Sequence, residues 1–481
     1  VVFLAGERAL KLKRAVKFDY VDFSTPERRR DACRAELRVN RRTAPELYLD
    51  VLPITQAADG SLSLNGRGTP VDWVVEMARF DQRGLLDRLA SAGTLDLSIM
   101  RPLADTVAAF HAAAAPTRDH GGSAGMRWVI EGNADALAGD YRDVFDQRRV
   151  DHVMTRSRSA LVQHTDRLDR RRAAGHVRQC HGDLHLRNIV LIDEHPVLFD
   201  AIEFNDDISC IDTLYDVAFL LMDLWRRNLP AHANVVFNGY STEARELEDI
   251  ALLPLFLSCR AAVRAKTSAS AAHVQTTADD RRRLEAAARE YLALADTLLE
   301  PAQPRLVAVG GFSGTGKSTL AREIAPSLGT APGALVLRSD EIRKQQCGVG
   351  RLDPLGPEGY TDAVTGHVYR TLIDRASTML AAGRSVVVDA VFSRADQRAA
   401  VAAAATAAGA PFCGLWLEAP IDTLLSRVAA RRHDPSDASA EVIRRQLAQG
   451  TEDVEWVRLD ASGTADAVLQ VAADTIAAGA R

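Results

Sequence analysis

Two groups of residues in this 481-residue chain have the types and spacing that phosphate chemistry needs. The first is His181-Gly-Asp-Leu-His-Leu-Arg-Asn188, followed by an apolar run, a turn at Asp193-Glu-His-Pro196 and Val197-Leu-Phe199, ending at Asp200. Asp183 and Asn188 stand five apart on a loop, and a hairpin after them would bring Asp200 back to their side. In phosphoryl transfer one carboxylate orients the attacking hydroxyl and accepts its proton, while an amide and a second carboxylate hold Mg²⁺ on the phosphates. Singly, each of these residues serves a turn just as well. The ordered set of His, Asp, Asn and Asp is what specifies the chemistry.

The second group is Gly311-Phe-Ser-Gly-Thr-Gly-Lys-Ser318, preceded by apolar Leu306-Val-Ala-Val309 and followed by a helix-like stretch from Thr319 to Leu328. Strand, glycine loop and helix form the context of a P-loop. Gly311, Gly314 and Gly316 let backbone N–H groups turn inward around phosphate oxygens, and the helix start, with Thr319 in it, adds unpaired N–H groups. Lys317 would reach the β- and γ-phosphates and Ser318 would hold Mg²⁺. Further on, Leu335-Val-Leu-Arg-Ser-Asp340 sets Asp340 at the C-terminal edge of a strand, where open parallel sheets bind ligands. A carboxylate there can deprotonate an acceptor hydroxyl. Val386-Val-Val-Asp389 ends in a carboxylate suited to a magnesium contact through water. Arg427 and Arg431 share one helical face at i, i+4, and positive charge of that kind can offset charge developing on a transferred phosphoryl group. Helix caps and a solvated face are the plainer readings of Asp340, Asp389 and the two arginines.

Three stretches must position these groups. Residues 1–80 are expected to form a β-rich lobe with one helix. Ala9 to Val16 alternates apolar and charged residues as a half-buried strand does, with Lys11 and Lys13 on one face. Ser24-Thr25-Pro26-Glu27 starts a helix that runs to about Asn40. A strand is expected at 47–55, and 71–77 is expected to be an extended apolar segment leading out of the lobe. Residues 81–302 are expected to be mostly helical around the 181–200 constellation, with a Gly-rich, polar loop at 117–132. Pro301 and Pro304 mark the boundary to residues 303–481, where strands at 305–310, 334–338, 385–389 and 412–417 alternate with helices. That alternation is the pattern of a parallel sheet flanked by helices. The fold class expected is therefore α+β for the first part and α/β for the second.

Composition narrows the setting. Hydrophobic residues make up 47% and charged residues 26%, enough for sizeable cores in a globular chain. A net charge of −5 carries no basic footprint, which disfavours nucleic acid as the main partner. The six cysteines are scattered without a Cys-x-x-Cys pair and read as small core residues of a reducing compartment. No apolar run approaches 18 residues, and the cytoplasm is the expected location.

Residues 1–300 resemble the aminoglycoside phosphotransferase family, which shares the protein-kinase-like fold. His181, Asp183, Asn188 and Asp200 carry the likeness. It implies that Asp183 is the catalytic base, that Asn188 and Asp200 hold Mg²⁺, and that a strand lysine pairs with the triphosphate and a helix glutamate. Lys11, between Leu10 and Leu12, matches that lysine, Lys13 on the same face stays open as the alternative, and Glu36 is the implied partner. Val71 to Met77 would be the hinge that meets adenine, and Asp216 would brace the catalytic loop. The chain departs from the family in one place: only Gly6 precedes the lysine strand, so a glycine-rich loop is either dispensable or lies upstream of Val1. Glu203, Asp206 and Asp207 follow the hairpin and serve equally as attractors of a cationic, aminated acceptor or as structural caps.

Residues 303–481 resemble the P-loop kinases that include gluconate kinase, zeta toxin and the polynucleotide kinases, through Gly311 to Ser318, Ser339-Asp340-Glu341-Ile342-Arg343, Val388-Asp389-Ala390 and the arginine segment. The likeness implies Asp340 as acceptor base and Arg343 as an acceptor contact. Together the two resemblances imply a tandem ATP-dependent phosphotransferase using Mg²⁺. Its first domain would act on a hydroxyl of a small sugar-like or aminoglycoside-like acceptor, and its second on another small molecule. The alternatives are an ATP-binding regulatory or docking protein without turnover, and a polynucleotide end kinase in the second domain.

Overall fold

The computed structural model describes residues 1–18, 21–244, 247, 249–430 and 435–479. They form two compact units, Val1–Leu229 with Leu252–Leu299, and Pro230–Ala251 with Glu300–Arg481.

The first unit opens with a five-stranded antiparallel sheet in the order Val2–Ala5, Arg8–Leu12, Thr69–Ala78, Tyr48–Gln56, Leu62–Leu64. Its first two strands form a hairpin closed at Gly6 and Glu7, so a tight turn with one glycine, at φ +56°, stands before the lysine strand. The lysine strand ends at Leu12, short of the expected Val16. The helix Pro26–Asn40 begins as expected: the Thr25 hydroxyl accepts from the Arg28 N–H, and proline fills the first turn. Cys33, Glu36 and Asn40 recur at three- and four-residue spacing on its buried face. Cys33 lies in one apolar cluster with Tyr48, Val75 and Met77 of the sheet. That packing carries Glu36, fully buried, to the strand that bears Lys11.

The rest of the first unit is mainly helical. The hairpin Ile189–Ile192 and His195–Leu198 is present, and Asp193 and Glu194, both at positive φ, make its two-residue turn. The expected loop at 117–132 is instead largely helix, Gly122–Ala138. Met126, Ile130, Asn133 and Leu137 form a buried stripe along it. The Asp169 carboxylate accepts from the Ser123 N–H at 3.0 Å at its start. Burial of that stripe overrides the weak helix preference of its glycines.

The second unit holds a five-stranded parallel sheet in the order Leu335–Arg338, Val386–Asp389, Leu306–Gly311, Phe412–Glu418, Val457–Asp460. Every residue of Leu306–Gly311 and Val386–Asp389 is buried, which is why these strands are continuous apolar runs. The fifth strand escaped the sequence reading because it lies at the sheet edge and only Leu459 of its four residues is buried.

Residues 230–251, read from the sequence as part of the helical lobe, cluster with the second unit. On the helix Pro230–Glu243, the Asn238 side-chain oxygen accepts from the Val336 N–H at 2.7 Å. Asn234 donates to the carbonyls of Pro332 (2.9 Å) and Ala334 (3.0 Å). The helix thus satisfies backbone groups along the edge strand Leu335–Arg338 that no further strand would pair. The free cysteines match the expectation in part: Cys33, Cys180, Cys210 and Cys259 are buried, Cys413 is half-buried and Cys347 is exposed. Among the described residues no helix is long and apolar enough to cross a membrane.

Candidate active sites

In the first unit, four distant stretches of chain converge on one cleft. The Lys11 ammonium donates to Glu36 Oε1 at 2.7 Å and is ion-paired with Asp200. Lys13 donates to the other oxygen of Glu36 at 2.6 Å and to Glu203 at 2.5 Å. The two lysines left open by the sequence therefore divide: both share Glu36, but Lys11 meets Asp200 and Lys13 meets Glu203. Glu203, 6% exposed and salt-bridged, is engaged structurally, which removes it as an attractor of a cationic acceptor. Asp207 pairs with His120 at 2.9 Å, and Asp206 opens the short helix Asp206–Ser209.

The segment carrying Asp200 is held from both sides. Asn40, at the end of the Glu36 helix, accepts from the Ala201 N–H at 2.7 Å, and the Tyr48 hydroxyl accepts from the Asp200 N–H at 3.1 Å. These bonds fix Asp200 at φ +63°, a left-handed conformation that Asp tolerates better than most residues. Burial would raise its carboxyl, but Lys11 outweighs that and lowers it.

On the loop 181–188, Asn188 donates to both the backbone carbonyl and the carboxylate of Asp183, each at 2.9 Å, and His185 Nε2 lies 3.3 Å from the same carboxylate. Burial would raise the Asp183 carboxyl as well. The hydrogen bond and charge of His185 more than reverse this, and hold it well below the usual range. The loop is shaped from behind by Asp216, which is fully buried and accepts from the N–H groups of His181 (3.0 Å) and Gly182 (2.9 Å). His111 Nε2 also meets Asp216 at 3.0 Å, and Arg260 donates to the Gly182 carbonyl at 3.1 Å. His181 itself turns Nε2 to the Phe199 carbonyl at 3.0 Å, so that nitrogen carries the proton.

A cavity of about 690 Å³ opens beside these groups, lined by Leu4, Ala9, Lys11, Met77, Phe80 and Asp200 among others. The expected hinge at Val71 to Met77 is corrected here. Those residues are sheet strand, paired with Arg8–Leu12 and Tyr48–Gln56, and the cleft is met by the stretch from Met77 to Arg83.

In the second unit the P-loop has the expected form. Gly311, Gly314 and Gly316 all take positive φ. A Cβ on Gly314 would lie 2.8 Å from the Leu424 carbonyl oxygen, so no other residue fits there without moving the helix Ile421–Ala429. The following helix starts at Lys317, whose ammonium donates to the Phe312 carbonyl at 2.9 Å, and Thr319 is exposed in its first turn. Gln446 accepts from the Ser313 N–H at 2.9 Å, a contact that nothing in the local sequence announces.

Arg338 is the residue that sequence reasoning passed over. It donates to Ser318 Oγ at 3.0 Å, to Asp389 Oδ2 at 3.2 Å and to Glu341 at 3.3 Å. The register of the parallel pair sets Arg338 beside Asp389. Asp340 lies in the first turn of the helix Ser339–Cys347, close enough to feel Arg338, Asp389 and Lys317. Burial raises its carboxyl, the neighbouring Asp389 adds to that, and Arg338 opposes both.

Arg343 donates to the Gly359 carbonyl (2.7 Å) and stacks over Tyr360. Tyr360 in turn donates to Asp437 (2.9 Å), which also accepts from Lys344 (3.0 Å). Arg427 hydrogen-bonds the Gly463 carbonyl at 3.4 Å on an exposed face, and Arg431 lies outside the described residues.

Comparison with known families matches residues 10–250 to the phosphotransferase enzyme family and residues 306–452 to an AAA domain. An uncharacterised protein of Mycobacterium tuberculosis is 30% identical over 480 residues, covering 96% of this chain and 91% of its own. An adenylyl-sulfate kinase of Myxococcus xanthus is 34% identical over 120 residues, 24% of this chain and 59% of its own. A sugar kinase structure from a Janibacter species matches 36% of this chain and 95% of its own, at 23% identity and a TM-score of 0.28. The family matches, over residues 10–250 and 306–452, lie on the two units that hold these sites: this chain belongs to the phosphotransferase enzyme family, with a P-loop kinase domain following its phosphotransferase domain.

Proposed function

We propose that the chain is a tandem ATP-dependent phosphotransferase, each unit transferring a phosphoryl group to a hydroxyl of a small acceptor. The observation that carries the reading is the Lys11 ammonium shared between Glu36 and Asp200, since it joins helix, strand and hairpin around one cavity. In the first unit Lys11 is the contact for the triphosphate, with Glu36 holding its side chain in place. Asn188, whose amide nitrogen is spent on Asp183, and Asp200 have oxygen ligands to offer, as do Ser318 and Asp389 in the second unit, and oxygen sets of this kind fit Mg²⁺. When bound, that ion would neutralise charge building on the phosphates.

Asp183 is the residue that receives the acceptor hydroxyl. A carboxylate held this far down is a weak base, so its work is to orient the hydroxyl and take the proton late. Such a role suits phosphoryl transfer, where bonding to the nucleophile is slight at the transition state. Asp340 has the corresponding place in the second unit and, with its carboxyl raised, is the stronger base of the two. There Lys317 and the N–H groups of the P-loop bind the β- and γ-phosphates.

The test is transfer of labelled phosphate from ATP to a panel of sugars, amino sugars and other small alcohols by the full chain. Asp183→Asn should abolish one set of products and Lys317→Ala the other. Unchanged transfer in both variants would sink the proposal.

A further inference from the structure

The pair of groups suited to magnesium in the second unit, Ser318 and Asp389, is also the pair that Arg338 touches. We propose that Arg338 is an internal cation of the P-loop site, sharing Ser318 and Asp389 with Mg²⁺ and setting how far nucleotide binding there depends on the ion. The inference rests on the reading of this loop as a nucleotide site.

Three nitrogens of one guanidinium serve three different elements: the P-loop helix through Ser318, the neighbouring strand Val386–Asp389 through Asp389, and the following helix through Glu341. Arg338 is 7% exposed. A cation this buried is tolerated only where acceptors are fixed around it, and two carboxylates and a hydroxyl provide them here. Arginine cannot escape the cost by losing its proton, so the charge is permanent.

Mg²⁺ needs the same two oxygens. Its arrival must either turn the guanidinium away from them or place two cations within a few ångströms of each other, and both cost free energy. The coupling between Arg338 and the ion is therefore unfavourable whichever occurs. With Arg338 present, the phosphates already face a fixed positive charge, so the ion adds less. Without it, Asp389 and Ser318 are open to Mg²⁺ and the ion adds more.

The experiment is calorimetric titration of the full chain with a non-hydrolysable ATP analogue, with Mg²⁺ and again with EDTA. A Lys317→Ala chain reports the first unit alone, and its signal is subtracted. The quantity read is the ratio of P-loop affinities with and without the ion. Arg338→Met should raise that ratio about tenfold. Arg338→Lys keeps the charge but loses the planar fork, and should raise it by a smaller step, about threefold; it carries the test if the methionine variant does not fold.

If Arg338 merely braces the strand end, both affinities fall together and the ratio stays within twofold of the wild type; that result overturns the inference. A Lys317→Ala chain that still binds two nucleotides would instead overturn the assignment of the P-loop itself, and the inference with it.

Discussion

Lys11 is ion-paired with Asp200, 189 positions further along the chain, while the same ammonium donates to Glu36. Lys13, two residues on, makes the parallel connection from Glu36 to Glu203. The strand, through Lys11, and the residue just past its end, Lys13, are thus each tied to the helix and to the segment after the hairpin, and of the two lysines it is Lys11 that lines the cavity with Asp200.

The two lysines should separate on substitution. Lys11→Met should weaken nucleotide binding at the first site about tenfold to a hundredfold, as expected for one charge-assisted contact to phosphate. Lys13→Met should leave that affinity nearly intact but lower stability by about 3–5 kcal/mol, because Glu203 stays buried without its cation. Calorimetry in a Lys317→Ala chain and urea unfolding read the two effects. Equal losses of affinity in both variants would show that the lysines share one role.

Asp216 should matter for folding more than for nucleotide affinity. Asp216→Ala removes the acceptor of two loop N–H groups and the partner of His111 in a fully buried place. A loss of about 3–5 kcal/mol is expected. Asp216→Asn, which keeps one acceptor oxygen, should lose less. Denaturant unfolding of the first unit provides the measurement, and a change below about 1 kcal/mol for alanine would contradict the bracing role.

The two reactions should differ in acid. The Asp183 carboxyl is lowered, so as pH falls it stays ionised well past the ordinary carboxylate value of 3.8 and its reaction persists. The Asp340 carboxyl is raised above the same value, so it takes up its proton at higher pH and loses its capacity as a base first. The acid limb of the pH–rate profile should therefore lie at higher pH for the P-loop reaction, measured in an Asp183→Asn chain, than for the first reaction, measured in a Lys317→Ala chain. The reverse order would refute the assignment of Asp340 as base.

The helix Pro230–Glu243 should prove to be part of the second unit energetically. Asn238→Ala leaves the Val336 N–H without its acceptor and should cost about 1–3 kcal/mol. The loss should appear in the unfolding transition that the ATP analogue protects through the P-loop. A shift confined to the other transition would place the helix elsewhere.

Much of this site was legible from the chain alone, for a local reason. The P-loop, the loop 181–188 and the hairpin to Asp200 are each built within about twenty residues by turn chemistry and strand periodicity, which a sequence displays directly. The Glu36 helix announced itself by its cap and its spacing. The helix Gly122–Ala138 did not, since its glycines speak against it and only the buried stripe of Met126, Ile130 and Leu137 makes it stable.

What the sequence by itself determined is the inventory: a glycine loop with Lys317 and Ser318, an aspartate and an asparagine five apart in Asp183 and Asn188, a second carboxylate at Asp200, and a chain of two kinase-family parts. What only the tertiary structure decided is partnership. Lys11 and Lys13 are of one type and share one face in the sequence, and the pairing of each followed from where Asp200 and Glu203 arrive. Arg338 is one charged residue at a strand end until the register of the parallel sheet sets it beside Asp389 and within reach of Ser318. Asn234 and Asn238 are unremarkable helix residues until an edge strand needs their amides. The physical reason is common to all three: ion pairs and hydrogen bonds act over about 3 Å, and contacts at that range between distant segments are set by packing, which periodicity and composition do not encode.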